Sequence, residues 1–226
     1  MSNFAIAVDG PAGSGKSTVS KIVAKNLGII YIDTGAMYRA IGLYCIENGI
    51  NTTDEEAVEK VIDVIKLTIK PEEGVQYIFI DDKNVTELIR TQEVGRAASD
   101  VASMKKVRSK LVAIQRELAK DNNVIMDGRD IGSNVLPDAE LKIYLDASVD
   151  ERANRRYNEL SEKGIDCDID TIKDQISQRD FADKTRDINP LIIAEDAIKI
   201  DTSEMTIEQV VEIIEALVNG LYYEEM

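Results

Sequence analysis

Gly10-Pro11-Ala12-Gly13-Ser14-Gly15-Lys16-Ser17 fits G-x-x-x-x-G-K-[ST] at every position. The apolar run Phe4-Ala5-Ile6-Ala7-Val8 precedes it and is long enough for one buried strand. Behind it Val19, Ile22, Val23 and Leu27 recur at helical spacing, and Gly28 stops the run. The motif therefore stands between a strand and a helix, the context in which it acts as a phosphate-binding loop. Glycines let the backbone wrap closely around phosphate oxygens with N–H groups turned inward. The helix starting near Ser17 adds the positive end of its dipole. Gly10, Pro11, Ala12, Gly13, Ser14, Gly15, Lys16, Ser17 and the adjoining Thr18 are thus the candidate residues for a nucleoside triphosphate. Lys16 reaches the β- and γ-phosphates, and the Ser17 hydroxyl is a ligand for Mg²⁺. The loop alone leaves the fate of the γ-phosphate open.

Composition narrows the classes. The chain has 226 residues, 44% of them apolar, enough for one α/β domain with insertions or for two small domains. A net charge of −15 argues against nucleic acid, whose partners present a basic face, and against an anionic membrane surface. The short N-terminal apolar run lacks a basic flank and meets Asp9, so it is not expected to be a signal peptide. No later run approaches the length of a membrane span. Cys45 and Cys167 form no C-x-x-C and read as reduced thiols of a cytoplasmic protein. Histidine is absent, which removes Ser-His-Asp and Cys-His chemistry and histidine metal sites together. A bound metal is then a hard ion held by oxygens.

Strands are expected at Ile29–Ile32, Val124–Met126, Leu141–Leu145 and Ala197–Ile200, with helices between them. Such alternation predicts a parallel sheet covered on both faces, with ligands beyond the carboxyl ends of the strands. Asp9, Asp33, Asp127 and Asp146 all stand at those ends. Thr53-x-x-Glu56, Ser148-x-x-Glu151 and Thr206-x-x-Gln209 read as capping boxes. Leu67–Lys70 and Gln76–Ile80, around Pro71-Glu72-Glu73-Gly74, break the alternation as short strands. They form either an inserted subdomain or edge strands of the main sheet.

Neither an Asp-x-x-Gly switch nor an Asn/Thr-Lys-x-Asp guanine reader occurs, which argues against a nucleotide-dependent switch. No glutamate follows the candidate Walker B residue Asp127, which argues against a mechanical ATPase. The arginines favour a small-molecule kinase. None precedes Arg39, and they gather at Arg152, Arg155, Arg156, Arg179 and Arg186 in an otherwise acidic chain. Lysine would serve a solvated face equally well, whereas arginine suits bidentate phosphate contacts and a transferring phosphoryl group. Glu151 and Arg155 still have ion-pair spacing, so part of the cluster is solvated face. A kinase for a different monophosphate or a small hydroxy acid shares these features.

Taken with the loop, Asp33-Thr34-Gly35-Ala36-Met37-Tyr38-Arg39, Ile89-Arg90-Thr91-Gln92-Glu93-Val94 and Asp127-Gly128-Arg129-Asp130-Ile131-Gly132 resemble the bacterial cytidylate kinase family, in order along nearly the whole chain. The resemblance implies Mg²⁺-dependent phosphoryl transfer from ATP to CMP or dCMP. It implies an α/β P-loop three-layer fold with a parallel five-stranded sheet, an inserted β-rich NMP-binding subdomain and a short helical lid. The core then takes residues 1–50, 105–150 and 188–226, the NMP-binding part 51–104 and the lid 151–187. By the same resemblance Ser99, Arg108 and Asp130 face the base, and Arg39, Arg129 and Arg186 clamp the acceptor phosphate. Thr34 and Tyr38 lie near the nucleotide, and Asp183 holds the ribose. Arg179, which also serves the CMP site, closes with Arg152 and Arg156 over the ATP phosphates, and which of them point inward stays open; Lys16, Arg129, Arg152, Arg156 and Arg179 are the expected catalytic residues. Ser17, and Asp127 through water, are the metal residues; Asp33 is a second holder of metal-bound water. A monomer acting on small molecules is expected.

Overall fold

The structure, a computed structural model, describes residues 4–72 and 75–224. β1 (Ala5–Asp9) is buried along its whole length, as a strand covered on both faces must be. It leads through the glycine loop into α1 (Lys16–Leu27). Gly28 ends that helix in the left-handed region (φ 66°), its N–H turned back to the last helical carbonyls. β2 (Ile30–Asp33) runs straight into α2 (Thr34–Glu47), whose N-cap is the Asp33 carboxylate, accepting from the Ala36 amide at 2.9 Å. Next come α3 (Glu55–Ile62), β3 (Leu67–Glu72), β4 (Val75–Ile80), β5 (Lys83–Asn84) and a 3₁₀ turn, Leu88–Arg90. α4 (Gln92–Val101), α5 (Lys105–Lys120) and β6 (Val124–Gly128) follow. A π-helical turn, Ile131–Val135, leads to β7 (Leu141–Asp146). The chain closes with α6 (Val149–Glu162), α7 (Ile169–Thr185), β8 (Ile198–Asp201) and α8 (Ile207–Glu224).

Five parallel strands form the main sheet in the order β2-β6-β1-β7-β8. Side-chain alternation in β1 divides its residues between the two faces. Ile6 and Val8 pack with Val19, Val23, Ile214 and Val218 of α1 and α8. Ala5 and Ala7 pack with Ile32, Val112, Met126 and Ile131 on the other side. Register places Asp33 opposite Asp127 and Asp9 opposite Gly128, so the expected convergence of strand ends on one rim is present.

The β-rich stretch is a separate three-stranded antiparallel sheet, β3-β4-β5, and not an extension of the main one. The turn expected at Glu73 and Gly74 lies outside the described residues. Ile78 and Ile80 of this sheet share a core with Met37 and Ile41 of α2, Ile62 of α3 and Leu111 of α5. Gln76 clasps it to the main sheet. The side-chain amide accepts from the Asp33 N–H (2.7 Å) and donates to the Asp33 carbonyl (3.1 Å), as a neighbouring strand would. α6 and α7 form a helical hairpin around a small core of Ala153, Ile172 and Ile176. Among the described residues no helix is long and apolar enough to cross a membrane.

Close approach fixes several glycines, Gly10 and Gly128 at the rim among them. At Gly10 (φ 146°) a Cβ would lie 2.0 Å from the Leu145 carbonyl oxygen. At Gly128 it would lie 2.6 Å from Ile131 Cδ1 and 2.7 Å from Thr34 Oγ1. Capping follows the sequence with one exception. Ser148 accepts from the Glu151 amide, and Thr206 and Gln209 bond reciprocally. α3, however, is capped by Asp54, which accepts from the Ala57 amide at 3.1 Å, while the Thr53 hydroxyl turns to Asn51. A carboxylate beside the dipole's positive end is the better cap there. Asp54→Ala is expected to cost about 1 kcal/mol in urea denaturation, and Thr53→Ala less than about 0.5 kcal/mol.

Candidate active site

Gly13 and Gly15 both have positive φ (80° and 89°), and Gly15 is the N-cap of α1. That conformation turns successive amides toward one concavity, and the first-turn N–H groups of α1 lack partners within the helix. A cavity of about 280 Å³ opens there, lined by Gly13, Gly15, Lys16, Ser17, Thr18 and Arg156 among others. Lys16 is buried and folded across the loop, donating to the Pro11 carbonyl (2.6 Å) and the Ser14 hydroxyl (3.4 Å). Burial, and after it the Arg129 charge, push its pKa down to about 7, against the pull of Asp127 and Asp9.

Beside the loop, the Ser17 hydroxyl donates to Asp127 Oδ2 at 2.6 Å, and Tyr31 donates to the other carboxylate oxygen at 3.2 Å. Burial, helped by the neighbouring Asp33 charge, raises the Asp127 carboxyl to about 6. Thr34 is buried and its hydroxyl donates to the Asp127 carbonyl. Among the described residues no cluster of three or more His, Cys, Asp or Glu side chains is arranged to hold a metal. Ser17 and Asp127 instead offer a pair of hard oxygens beside a phosphate cradle. Mg²⁺ is a hard cation that prefers oxygen ligands of this kind.

A second constellation follows β6. Asp130 accepts from Arg108 (2.5 Å), Arg186 (3.2 Å) and Asn134 (3.0 Å), and its side chain is nearly buried. The Arg108 guanidinium lies over the Tyr38 ring, 5.7 Å from its centre. Its Nε is buried with no hydrogen-bond partner among the described residues. Arg129 donates to Asp183 at 2.7 Å. Burial opposes the charge on both, yet the pair holds Arg129 above and Asp183 below their ordinary values. Arg39 donates to the Ile89 and Thr91 carbonyls. Burial lowers the pKa of Arg39, Arg179 and Arg186, that of Arg179 to about 10, and nearby arginines add to each shift. Arg179 Nε, too, is buried with no hydrogen-bond partner among the described residues. Such a rim, rich in cations short of counter-charge, suits anionic ligands.

Three expected residues are placed less simply. Ser99 is exposed, its hydroxyl turned back to the Gly95 carbonyl at 3.5 Å. Arg156 lines the loop cavity and pairs with Glu159. Arg152 is buried, and its guanidinium is already engaged by the Ala147 carbonyl, the Ala12 carbonyl of the loop and Asp180 (2.6 Å). Arg155, with the Glu151 partner its spacing suggests, also donates to the Thr202 carbonyl.

Sequence reasoning gave no role to four residues that complete these groups. Arg90 reaches Asp33 at 3.2 Å; it lay within the Ile89–Val94 stretch, the one signal available. Asn134 follows Asp130 by one helical turn. Asp180, which holds Arg152, carried no local signal; Asp9, which accepts from the Ile131 and Gly132 amides at 2.8 Å each, was marked only by its place at a strand end. Asp9 is raised to about 6 by burial, against those two hydrogen bonds.

A family model described as cytidylate kinase matches residues 6–220. A protein named cytidylate kinase from Caldicellulosiruptor saccharolyticus is 53% identical over 94% of each chain. Similarly named proteins from Leuconostoc mesenteroides (51% identical, 93% of this chain and 94% of that one) and Enterococcus faecalis (47%, 99% of each) agree. A phosphate loop and a buried arginine–aspartate cluster share one sheet rim, and the similarity runs through both, so the chain belongs to the cytidylate kinase family.

Proposed function

We infer that the protein transfers the γ-phosphoryl group of ATP to CMP, with dCMP as a second acceptor, giving ADP and CDP or dCDP. One observation carries the base assignment: the buried Arg108–Asp130 pair, with the Arg108 guanidinium over the Tyr38 ring. Cytosine offers acceptors at O2 and N3 and a donor amine at N4. Arg108 donates to O2 and N3, Asp130 accepts from N4, and Ser99 adds a hydroxyl. Uracil meets the same pair with its N3–H and O4 reversed, leaving buried polar groups unmatched.

The remaining roles follow from charge and position. Arg39, Arg129 and Arg186 clamp the acceptor phosphate, Thr34 and Tyr38 line its approach, and Asp183 takes the ribose hydroxyls. Lys16, Arg156 and Arg179 hold the donor phosphates, for which Lys16 exchanges its loop partners. Arg152 acts on the same phosphates through the Ala12 carbonyl that it braces. Ser17, and Asp127 through water, fit Mg²⁺, which when bound supplies charge neutralisation at the β- and γ-phosphates.

No general base is needed. The acceptor phosphate has a second pKa of about 6 and is a dianion at neutral pH. Its oxygen attacks the γ-phosphorus as the bond to the β–γ bridging oxygen breaks, and ADP departs with that electron pair. Lys16 and the arginines hold the reactants in line and spread the charge of transfer. Closure of the α6–α7 hairpin excludes water as a competing acceptor.

A panel of nucleoside monophosphates and small hydroxy acids, read as ADP release with ATP and Mg²⁺, tests the assignment; preferred turnover of any acceptor other than CMP or dCMP overturns it. Lys16→Ala is expected to lower kcat at least about 10³-fold with an unchanged circular dichroism spectrum. Ser17→Ala is expected to raise the Mg²⁺ concentration for half-maximal rate about tenfold, read by titration into chelator-treated enzyme. Asp130→Ala is expected to reduce the CMP-to-UMP ratio of kcat/KM by at least about tenfold.

A further inference from the structure

The turn after β6 is capped in an unusual way. Asp130 stands at the N-cap position of Ile131–Val135, and aspartate is among the residues that cap best. Its side chain nevertheless makes no cap hydrogen bond. Both carboxylate oxygens are turned the other way, onto Arg108, Arg186 and Asn134. The orphan amides of the first turn, Ile131 and Gly132, donate instead to the two oxygens of Asp9, each at 2.8 Å. Asp9 is 122 residues away in sequence from Ile131, on the strand next to β6, and is 5% exposed.

We propose that Asp9 is a positioning residue for the base site, capping the Ile131–Val135 turn in place of Asp130 so that the Asp130 carboxylate is free to read cytosine. A short polar side chain at an N-cap has two competing uses: its own turn's amides, or a remote partner. Buried amides demand an acceptor, because leaving them unpaired carries the full desolvation penalty. With Asp9 present that demand is met, and Asp130 faces Arg108. Without it, Asp130 swings onto Ile131 and Gly132 and leaves Arg108 and Arg186 unpaired.

The proposal rests on Asp130 reading the base, and the experiment separates the two. The CMP-to-UMP ratio of kcat/KM and the KM for ATP are measured for Asp9→Ala, Asp9→Asn, Asp130→Ala and the Asp9→Ala/Asp130→Ala pair. Asp9→Ala is expected to lower the ratio about tenfold. Asp9→Asn, keeping one acceptor, falls between it and the parent. The double variant shows no further fall beyond Asp130→Ala, and KM for ATP stays within about twofold throughout. A merely structural Asp9 slows CMP and UMP alike and leaves the ratio unmoved, which overturns the proposal. An unmoved ratio in Asp130→Ala overturns the base reading itself. Amide hydrogen exchange in the parent protein needs no variant to fold: Ile131 and Gly132 are expected to exchange at least about 100-fold slower than unstructured amides, and rapid exchange at both also overturns the cap.

Discussion

Burial strips Lys16, Arg39, Arg179 and Arg186 of water, and neighbouring guanidinium groups press on each of them. Their pKa values fall in consequence, in a chain whose net charge is −15. So dense a group of cations persists only because the fold holds it in place from all sides. Asp130 stands between Arg108 and Arg186, Asp183 meets Arg129, and Asp33 meets Arg90. The acidic excess elsewhere does not relieve this local imbalance, since exposed charges beyond about 8–10 Å are screened by salt. Two phosphorylated ligands would relieve it directly.

The parallel sheet explains why these groups meet. Each strand ends on the same rim, and each is followed by a turn that must satisfy its own backbone. At β1 the solution is the glycine loop, at β2 the Asp33 cap of α2, and at β6 the turn capped by Asp9. The proposed site residues ride on these turns, so the geometry of the candidate site is largely backbone geometry. Gly10 and Gly128 mark where the turns pass too close to neighbouring atoms to carry a side chain.

Local physics was legible in the sequence. Apolar runs, three-four spacing and capping boxes located β1, α1, β6, β7 and the start of α8, because periodicity and cap chemistry act over a few residues. The loop and its Ser17 were readable for the same reason. Thr53 was misread as the α3 cap because the neighbouring Asp54 competes for the role and the string alone does not rank them. Long-range pairings were not legible. Arg152 sits in a cluster that looks catalytic, but its engagement with Ala12 and Asp180 depends on how α6 and α7 fold against the loop. Asp9 looks like the end of a strand and nothing more until β6 is laid beside it. Arg108 and Ser99 look like ordinary polar helix residues; the family pattern, not the residue types, singled them out.

β2 is an outermost strand of the main sheet, and its unpaired backbone would ordinarily invite another chain to add on. Gln76 answers both hydrogen-bonding groups of Asp33 with a single side chain. The small sheet thus covers the vulnerable end of β2 with one side chain, while the two sheets stay separate.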